Sequence, residues 1–90
     1  MIRHYNIVVT GRVQGVYYRA TAKQMADILG LKGFVRNETD GSVYIEVEGD
    51  EEMIVKFIQW CHHGPDRAEV KYVSVNEAPL VNFEGFESRR

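Results

Sequence analysis

Residues 11–19 read GRVQGVYYR and join two segments whose apolar periodicities differ. Before this stretch, Tyr5, Ile7 and Val9 fall at alternate positions, which is typical of a β-strand and predicts one over Tyr5–Thr10. After it, apolar residues recur with the spacing of one helix face, namely Ala22, Met25, Ala26 and Leu29. The stretch is therefore predicted to be the turn between a strand and a helix.

A turn of this kind has the components of an anion site. Gly11 and Gly15 allow the backbone to aim successive N–H groups inward, toward the positive end of the following helix. Arg19 adds a permanently charged fork of donors that suits phosphate or carboxylate. On spacing alone, two glycines and an arginine more often mark only a surface turn.

Composition limits the class of protein. Ninety residues, 44% hydrophobic and 27% charged, predict one globular domain over residues 1–90. Thirteen acidic and eleven basic residues give a net charge of −2, so no global basic field favours nucleic acid. A single cysteine excludes an internal disulfide framework and a cysteine-based metal cluster. The first residues lack an apolar signal region and no run approaches membrane-spanning length, so we expect a cytoplasmic protein.

The rest of the chain alternates helical and strand periodicities. The first helix is predicted over about Ala20–Leu29 and ends at Gly30, a suitable left-handed cap. A second helix begins with acidic residues after Asp50 and ends near residues 62–65. Further strands are predicted over residues 32–37, 43–47 and 69–77. The last of these has apolar residues in two parities, which indicates a bulge or burial on both faces.

The hairpin at Asp40-Gly41 allows two registers. A two-residue loop would turn Phe34, Arg36 and Glu38 toward the apolar face of the next strand. A three-residue loop, with Gly41 left-handed in a bulge, would turn Val35 and Asn37 there instead. We favour the second register because it keeps the two charged residues out of the core.

This element order predicts an α+β, ferredoxin-like βαββαβ sandwich. Two helices would cover one face of an antiparallel sheet in the order 4-1-3-2, with a short fifth edge strand allowed over Phe83–Glu87. The first two strands would then be parallel, with the third between them, so their C-terminal ends would lie about 10 Å apart. The anion-binding turn and Asn37 are therefore expected to meet.

At this point the sequence resembles the acylphosphatase family. Residues 11–19 are similar to its loop signature, which usually ends Phe-Arg where this chain has Tyr18-Arg19. Residues 33–43, GFVRNETDGSV, are similar to its second motif, and Gly64-Pro65 followed by Ala68 and Val70 to a third. The similarity runs from about residue 5 to residue 75.

The resemblance implies a hydrolase that cleaves a carboxyl–phosphate anhydride to a carboxylate and inorganic phosphate. By similarity, Arg19 and the loop amides hold the phosphoryl group, while Asn37 positions the attacking water. The amides concerned belong to Gln14, Gly15, Val16, Tyr17 and Tyr18. No metal and no cofactor is implied. The expected partners are a small acyl phosphate and the phosphate product, with no nucleic acid and no membrane, and the protein is expected to be a monomer.

Several of these residues have ordinary structural interpretations as well. Asn37 could cap the hairpin, and the Tyr18 side chain is expected to pack beneath the loop rather than to touch substrate. His62 and His63 diverge by about 100° on a helix and fit a helix C-terminus better than a metal site. Cys61 lies on the apolar stripe of the second helix and is expected to be a buried, inert thiol.

Two other functions compete with the enzyme. One is a non-enzymatic anion- or partner-binding module, since acylphosphatase-like domains also occur inside carbamoyl-transferring maturation proteins. The other is RNA binding, because the same topology carries the RRM, which needs stacking aromatics on its middle strands and a basic surface. Here Tyr44 lies between acidic neighbours, Glu46 and Glu48, and the net charge is negative, so RNA binding is disfavoured.

Overall fold

The computed structural model describes residues Met1–Arg90 and contains two helices and five strands. In chain order these are β1 (Ile2–Arg12), α1 (Tyr18–Ile28), β2 (Lys32–Asn37), β3 (Val43–Asp50), α2 (Glu51–His63), β4 (Glu69–Ala78) and β5 (Phe86–Arg89). The predicted ferredoxin-like α+β architecture is confirmed, and the short fifth edge strand that the sequence allowed is present. Neither helix is long and apolar enough to cross a membrane.

The five strands form one sheet in the order β4-β1-β3-β2-β5. β1 and β2 both run antiparallel to β3, so they are parallel to each other. β5 pairs parallel with β2 at the edge, so the sheet is mixed, whereas one that is antiparallel throughout was predicted. A register row joins Val9, Val43 and Asn37, which places Asn37 on the face that carries the buried residues of β1 and β3. The predicted approach of the two strand ends is therefore confirmed.

The core lies between that face of the sheet and the two helices. Its strand members alternate along β1 and β3, as expected for a sheet with one buried face, and include Ile7, Val9 and, from β2, Val35. Helix α2 contributes Ile54 and Phe57, both fully buried. Burying this apolar area is the main favourable contribution to the free energy of folding.

The hairpin has the three-residue loop. Asn37 pairs with Val43, and the backbone N–H of Glu38 donates to the carbonyl of Ser42 at 2.8 Å. Gly41 is left-handed, with φ 93°, and its N–H returns to the carbonyl of Glu38. The preferred register is confirmed.

The first strand is longer than the predicted Tyr5–Thr10 and includes Gly11 and Arg12. Its pairing with β4 skips Lys71 at the step from Thr10 to Gly11, which is the bulge indicated by the two apolar parities of β4. Gly11 has φ 121°, and a Cβ there would overlap the Glu69 carbonyl. A glycine is therefore needed at position 11 because the backbone of β4 approaches closely there. The interpretation of Gly11 as a turn glycine did not predict this role.

Helix α1 begins at Tyr18, two residues before the expected start at Ala20. It ends at Ile28, with Leu29 as its C-cap, and Gly30 just beyond is left-handed with φ 69°, as predicted for this glycine. The N–H of Leu31 donates to the carbonyl of Ala26 at 2.8 Å, and that of Gly30 donates to Asp27 at 3.2 Å. This pair of bonds is the Schellman arrangement, which satisfies carbonyls that the helix leaves free.

The last strand is Phe86–Arg89 rather than Phe83–Glu87. Because β4 and β5 lie at opposite edges of the sheet, the segment from Pro79 to Gly85 crosses the face opposite the helices. There Glu48, only 4% exposed, accepts hydrogen bonds from the backbone N–H groups of Val81 at 2.7 Å and Phe83 at 2.8 Å. These bonds hold the segment out of strand pairing, which is why the predicted boundary was wrong.

Candidate active site

The loop between β1 and α1 spans residues 13–17 and is anchored by side chains that are buried in the core. The side chains of Val13 and Val16 are buried, whereas Gly15 and Tyr17 are left-handed, with φ 72° and 66°. Four consecutive backbone N–H groups of this loop, those of residues 14–17, donate to no protein acceptor. The loop therefore presents a run of free donors, as an anion-binding backbone cradle requires.

The start of helix α1 adds further donors. Its N-cap residue, Tyr17, makes no side-chain capping bond, and no acidic residue occupies the first turn. The first N–H groups of a helix have no intrahelical acceptor, and the helix dipole gives this end a positive potential. Because neither feature is compensated by the protein, the helix end favours an anion.

The side chain of Tyr18 anchors the start of helix α1 against helix α2. Its side chain is 1% exposed, its hydroxyl donates to the Cys61 carbonyl at 2.8 Å, and its ring lies 5.0 Å from that of Trp60. Desolvation by burial raises the pKa of Tyr18 far above its usual value, so the hydroxyl stays a neutral donor. A Cβ at Gly64 would lie 2.9 Å from the same ring, which accounts for the glycine there. The expectation that Tyr18 packs beneath the loop is confirmed.

Arg19 follows Tyr18 in the first turn of α1. One guanidinium N–H, on Nη1, donates to the backbone carbonyl of Arg89 at 2.6 Å. An arginine has five N–H donors, so the rest of the fork is left for a ligand. The last strand thus orients Arg19, a contact that no local pattern in the sequence predicts.

Asn37 ends β2 beside this loop. Its side-chain oxygen, Oδ1, is buried and has no hydrogen-bond partner in the protein. A buried acceptor without a donor costs free energy, about 1–3 kcal/mol, unless a water or a ligand satisfies it. Asn37 therefore presents an acceptor that the fold itself does not use.

Arg19 and Asn37 line one pocket of about 380 Å³. Its full lining is Val13, Gly15, Tyr17, Tyr18, Arg19, Ala20, Asn37 and Ser88. The pocket thus brings together five of the seven predicted site residues, and Ser88 of β5 was missed. Gln14 and Val16 are outside this lining. The largely buried Val16 instead lines a separate polar depression together with Arg12 and Arg67.

Gln14 contacts the other motif instead. Its side-chain amide Nε2 donates to the backbone carbonyl of Glu38 at 2.7 Å and to that of Ser42 at 2.9 Å. Both acceptors belong to the hairpin that follows Asn37. The side chain of Gln14 therefore ties the anion-binding loop to the strand end that carries Asn37. From the sequence, only the backbone N–H of Gln14 was predicted to take part in the site.

Neither the His62-His63 pair nor Cys61 forms a metal site. His62 and His63 are exposed at the end of α2, and no group of three or more His, Cys, Asp or Glu side chains could hold a metal ion. Cys61 is fully buried, and desolvation raises the pKa of its thiol to about 12. The thiol is therefore protonated and inert at neutral pH.

The comparisons with known proteins agree with this geometry. Residues 5–88 match the acylphosphatase family, which extends the resemblance through β5. The chain belongs to the acylphosphatase family. It is 50% identical over 84 residues to an acylphosphatase of a Nocardioides species, covering 93% of this chain and 85% of that one. Members of the family are hydrolases that act on acyl phosphates, and this chain is accordingly an enzyme of that class.

Solved structures extend the comparison. The crystal structure of acylphosphatase from Bacillus subtilis superimposes with a TM-score of 0.95 at 35% identity, covering 100% of both chains. Full-length HypF, in its phosphate- and nucleotide-bound form, matches with a TM-score of 0.90 at 29% identity. That match covers 100% of this chain but 12% of HypF, so the same fold also occurs within a much longer protein.

Proposed function

We propose that the chain hydrolyses acyl phosphates by holding the phosphoryl group with Arg19 and the amides of residues 14–18, while Asn37 positions the attacking water. The observation that carries this proposal is that Arg19 and Asn37, from separate motifs, line the same pocket. A cation with a planar fork suits phosphoryl oxygens, and an amide suits a neutral nucleophile.

The phosphoryl group would be held by fixed donors. Charge in the transition state spreads over the equatorial phosphoryl oxygens, so donors already in place stabilise it without reorganisation. The free N–H groups of the loop and the uncompensated start of α1 supply such donors beside Arg19. The contact with Arg89 limits the freedom of the guanidinium before substrate arrives.

The water would be held by Asn37. Its buried Oδ1 has no donor in the protein, so it can accept a hydrogen bond from a water molecule without breaking another bond. An amide oxygen orients water but does not deprotonate it. Asn37 therefore acts through position rather than as a base.

The reaction then needs no strong base from the protein. The water oxygen forms a bond to phosphorus, and the bond between phosphorus and the acyl oxygen breaks, releasing a carboxylate with that electron pair. The proton lost by the water passes to a phosphoryl oxygen, which gives inorganic phosphate. Since a carboxylate is already a good leaving group, the barrier is lowered mainly by positioning and charge stabilisation.

The decisive experiment replaces Asn37 by alanine. Orienting water matters mainly in the transition state, so Asn37→Ala should lower kcat by roughly 10²-fold or more with little change in KM. The matched control is Asn76→Ala, an exposed asparagine of β4 outside the pocket. A kcat near that of the wild type in Asn37→Ala would remove the water-positioning role and favour a hairpin-capping one.

A binding-only module is the second candidate, because the HypF comparison places the same fold inside a longer protein. Such a module would be stabilised by phosphate but would not turn over a generic aryl acyl phosphate. The enzyme should cleave that compound and leave a phosphomonoester control largely intact.

A further inference from the structure

Tyr17 is unusual both in its backbone and in its exposure. Its φ and ψ of 66° and 20° lie in the left-handed region, which bulky residues rarely adopt because of steric strain. Its side chain is nevertheless 75% exposed. The ring stacks on no other aromatic ring, and its hydroxyl makes no hydrogen bond. The ring therefore does little for the stability of the fold.

Strain of this kind is informative when it occurs at a functional site. Glycine or asparagine would adopt the same backbone conformation more easily, yet this position carries a large aromatic residue. Tyr17 also lines the pocket that holds Arg19 and Asn37. The arrangement is explained if the ring meets a ligand rather than the protein.

The position of the ring indicates which part of the ligand it meets. The two other large apolar side chains of the lining, Val13 and Tyr18, are each 1% exposed and so offer a ligand almost no surface. If the phosphoryl group occupies the amide cradle, as in the proposed function, the acyl group must extend past the rim. Tyr17 is then the one large apolar surface available to it.

We propose that Tyr17 is a specificity-determining residue that contacts the acyl group of the substrate and favours acyl phosphates with an aromatic acyl group. This inference rests on the proposed function, because it takes the phosphoryl position from it. An offset or edge-to-face contact between two rings strengthens binding by about 3- to 10-fold. The aliphatic acyl phosphates would gain less from the same surface.

The test compares benzoyl phosphate with acetyl phosphate, using the ratio of their kcat/KM values for each protein. Comparing ratios cancels the different intrinsic reactivity of the two compounds. Tyr17→Asn removes the ring and tolerates a left-handed backbone, so the ratio should fall about 3- to 10-fold. Tyr17→Phe keeps the ring and should keep the ratio. Tyr72→Ala is the control, since Tyr72 has the same 75% exposure but lies on β4 away from the pocket.

The outcomes separate this inference from the proposed function. If the wild type cleaves both compounds and the ratio of Tyr17→Asn equals that of the wild type, Tyr17 does not contact the acyl group. A loss of preference in Tyr17→Phe as large as in Tyr17→Asn would also overturn the inference, because the ring would then be irrelevant. Failure of the wild type to cleave either compound would overturn the proposed function itself. Inorganic phosphate should raise the melting temperature of Tyr17→Asn and wild type equally, because the ring does not reach the phosphoryl position.

Discussion

The guanidinium of Arg19 donates a hydrogen bond of 2.6 Å to the backbone carbonyl of Arg89. The first residues of α1 and the last strand of the sheet therefore meet at the pocket, although they are far apart in the chain. One donor of the fork is used for orientation and the others stay free for an anion. Phosphate affinity should depend on Arg19 much more than on Asn37.

Phosphate-dependent melting tests this division between the two residues. A ligand that binds only the folded state at a hundredfold excess over Kd stabilises it by about 2.7 kcal/mol. For a domain of this size the melting temperature should rise by about 10 °C or more in wild type and in Asn37→Ala. Arg19→Gln keeps length and polarity but removes the charge and the fork, so its shift should largely vanish.

The three proteins are melted with and without phosphate at matched ionic strength, with sulfate tested separately as an anion mimic. Equal stabilisation of Arg19→Gln and wild type would exclude Arg19 from the site. A loss in Asn37→Ala as large as in Arg19→Gln would show that the two roles cannot be divided in this way.

Gln14 should matter for rate more than for stability. Its two hydrogen bonds to the hairpin carbonyls hold the loop against the strand end that carries Asn37. Small misplacements at a reacting centre are costly, so Gln14→Ala should lower kcat by roughly 10- to 100-fold. Steady-state kinetics and thermal melting are measured together, with Gln24→Ala, an exposed glutamine of α1, as control. Wild-type kcat in Gln14→Ala would contradict this positioning role.

The buried carboxylate of Glu48 should make the free energy of unfolding depend on pH. Desolvation raises the pKa of its carboxyl group, but hydrogen bonds from the backbone N–H groups of Val81, Asn82 and Phe83 lower it more, leaving it below its usual value. A depressed folded-state pKa contributes stability that is present above the unfolded pKa, about 4.3, and is lost as pH falls through the folded value. Acidification in that range should therefore loosen the crossing segment.

Glu48→Gln isolates this contribution. In the glutamine side chain only the oxygen can accept a hydrogen bond, whereas both carboxylate oxygens of Glu48 accept one. Because hydrogen bonds to a charged acceptor contribute about 1.5–3 kcal/mol, the melting temperature at pH 7 should fall by about 10 °C. The difference from wild type should shrink as the pH falls below the unfolded pKa of about 4.3, because the carboxylate is then protonated first in the unfolded state and at lower pH in the folded state as well. Glu84→Gln, exposed on the same segment, is the control. A difference that stays constant with pH would show that charge is not responsible.

Catalysis should survive exhaustive chelation. The pocket is lined by no Asp, Glu, His or Cys, the side chains that hold divalent ions, and its positive potential comes from Arg19 and backbone N–H groups. Activity with an acyl phosphate is measured before and after dialysis against EDTA, and again after a divalent ion is added back. Activity lost on dialysis and restored by the ion would contradict the expectation.

The parts of the fold that follow from local patterns could be predicted from the sequence. Val43, Ile45 and Val47 alternate, and the position of Gly41 decides the hairpin register. The meeting of Arg19 with Asn37 could be predicted because parallel strands end at the same side of a sheet.

The remaining contacts could not be predicted, since each joins a side chain to a backbone group elsewhere in the chain. Gln14 reaches two hairpin carbonyls, Arg19 reaches the carbonyl of Arg89, and Glu48 holds the segment before β5. Backbone carbonyls and amides are the same at every position, so no residue pattern marks which of them will be bonded. The bounds of β5 were wrong for the same reason.

The interior position of β1, between β4 and β3, has a consequence for how the enzyme folds. β1 pairs with β4, where His4 lies opposite Ala78, so much of its ladder joins residues distant in sequence. Folds dominated by such pairings fold slowly, because the chain must close long loops before it gains their contacts. The loop after β1 depends on this pairing for its platform. We therefore expect the loop proposed to bind phosphate, which is synthesised early, to become ordered only after β4 has been synthesised.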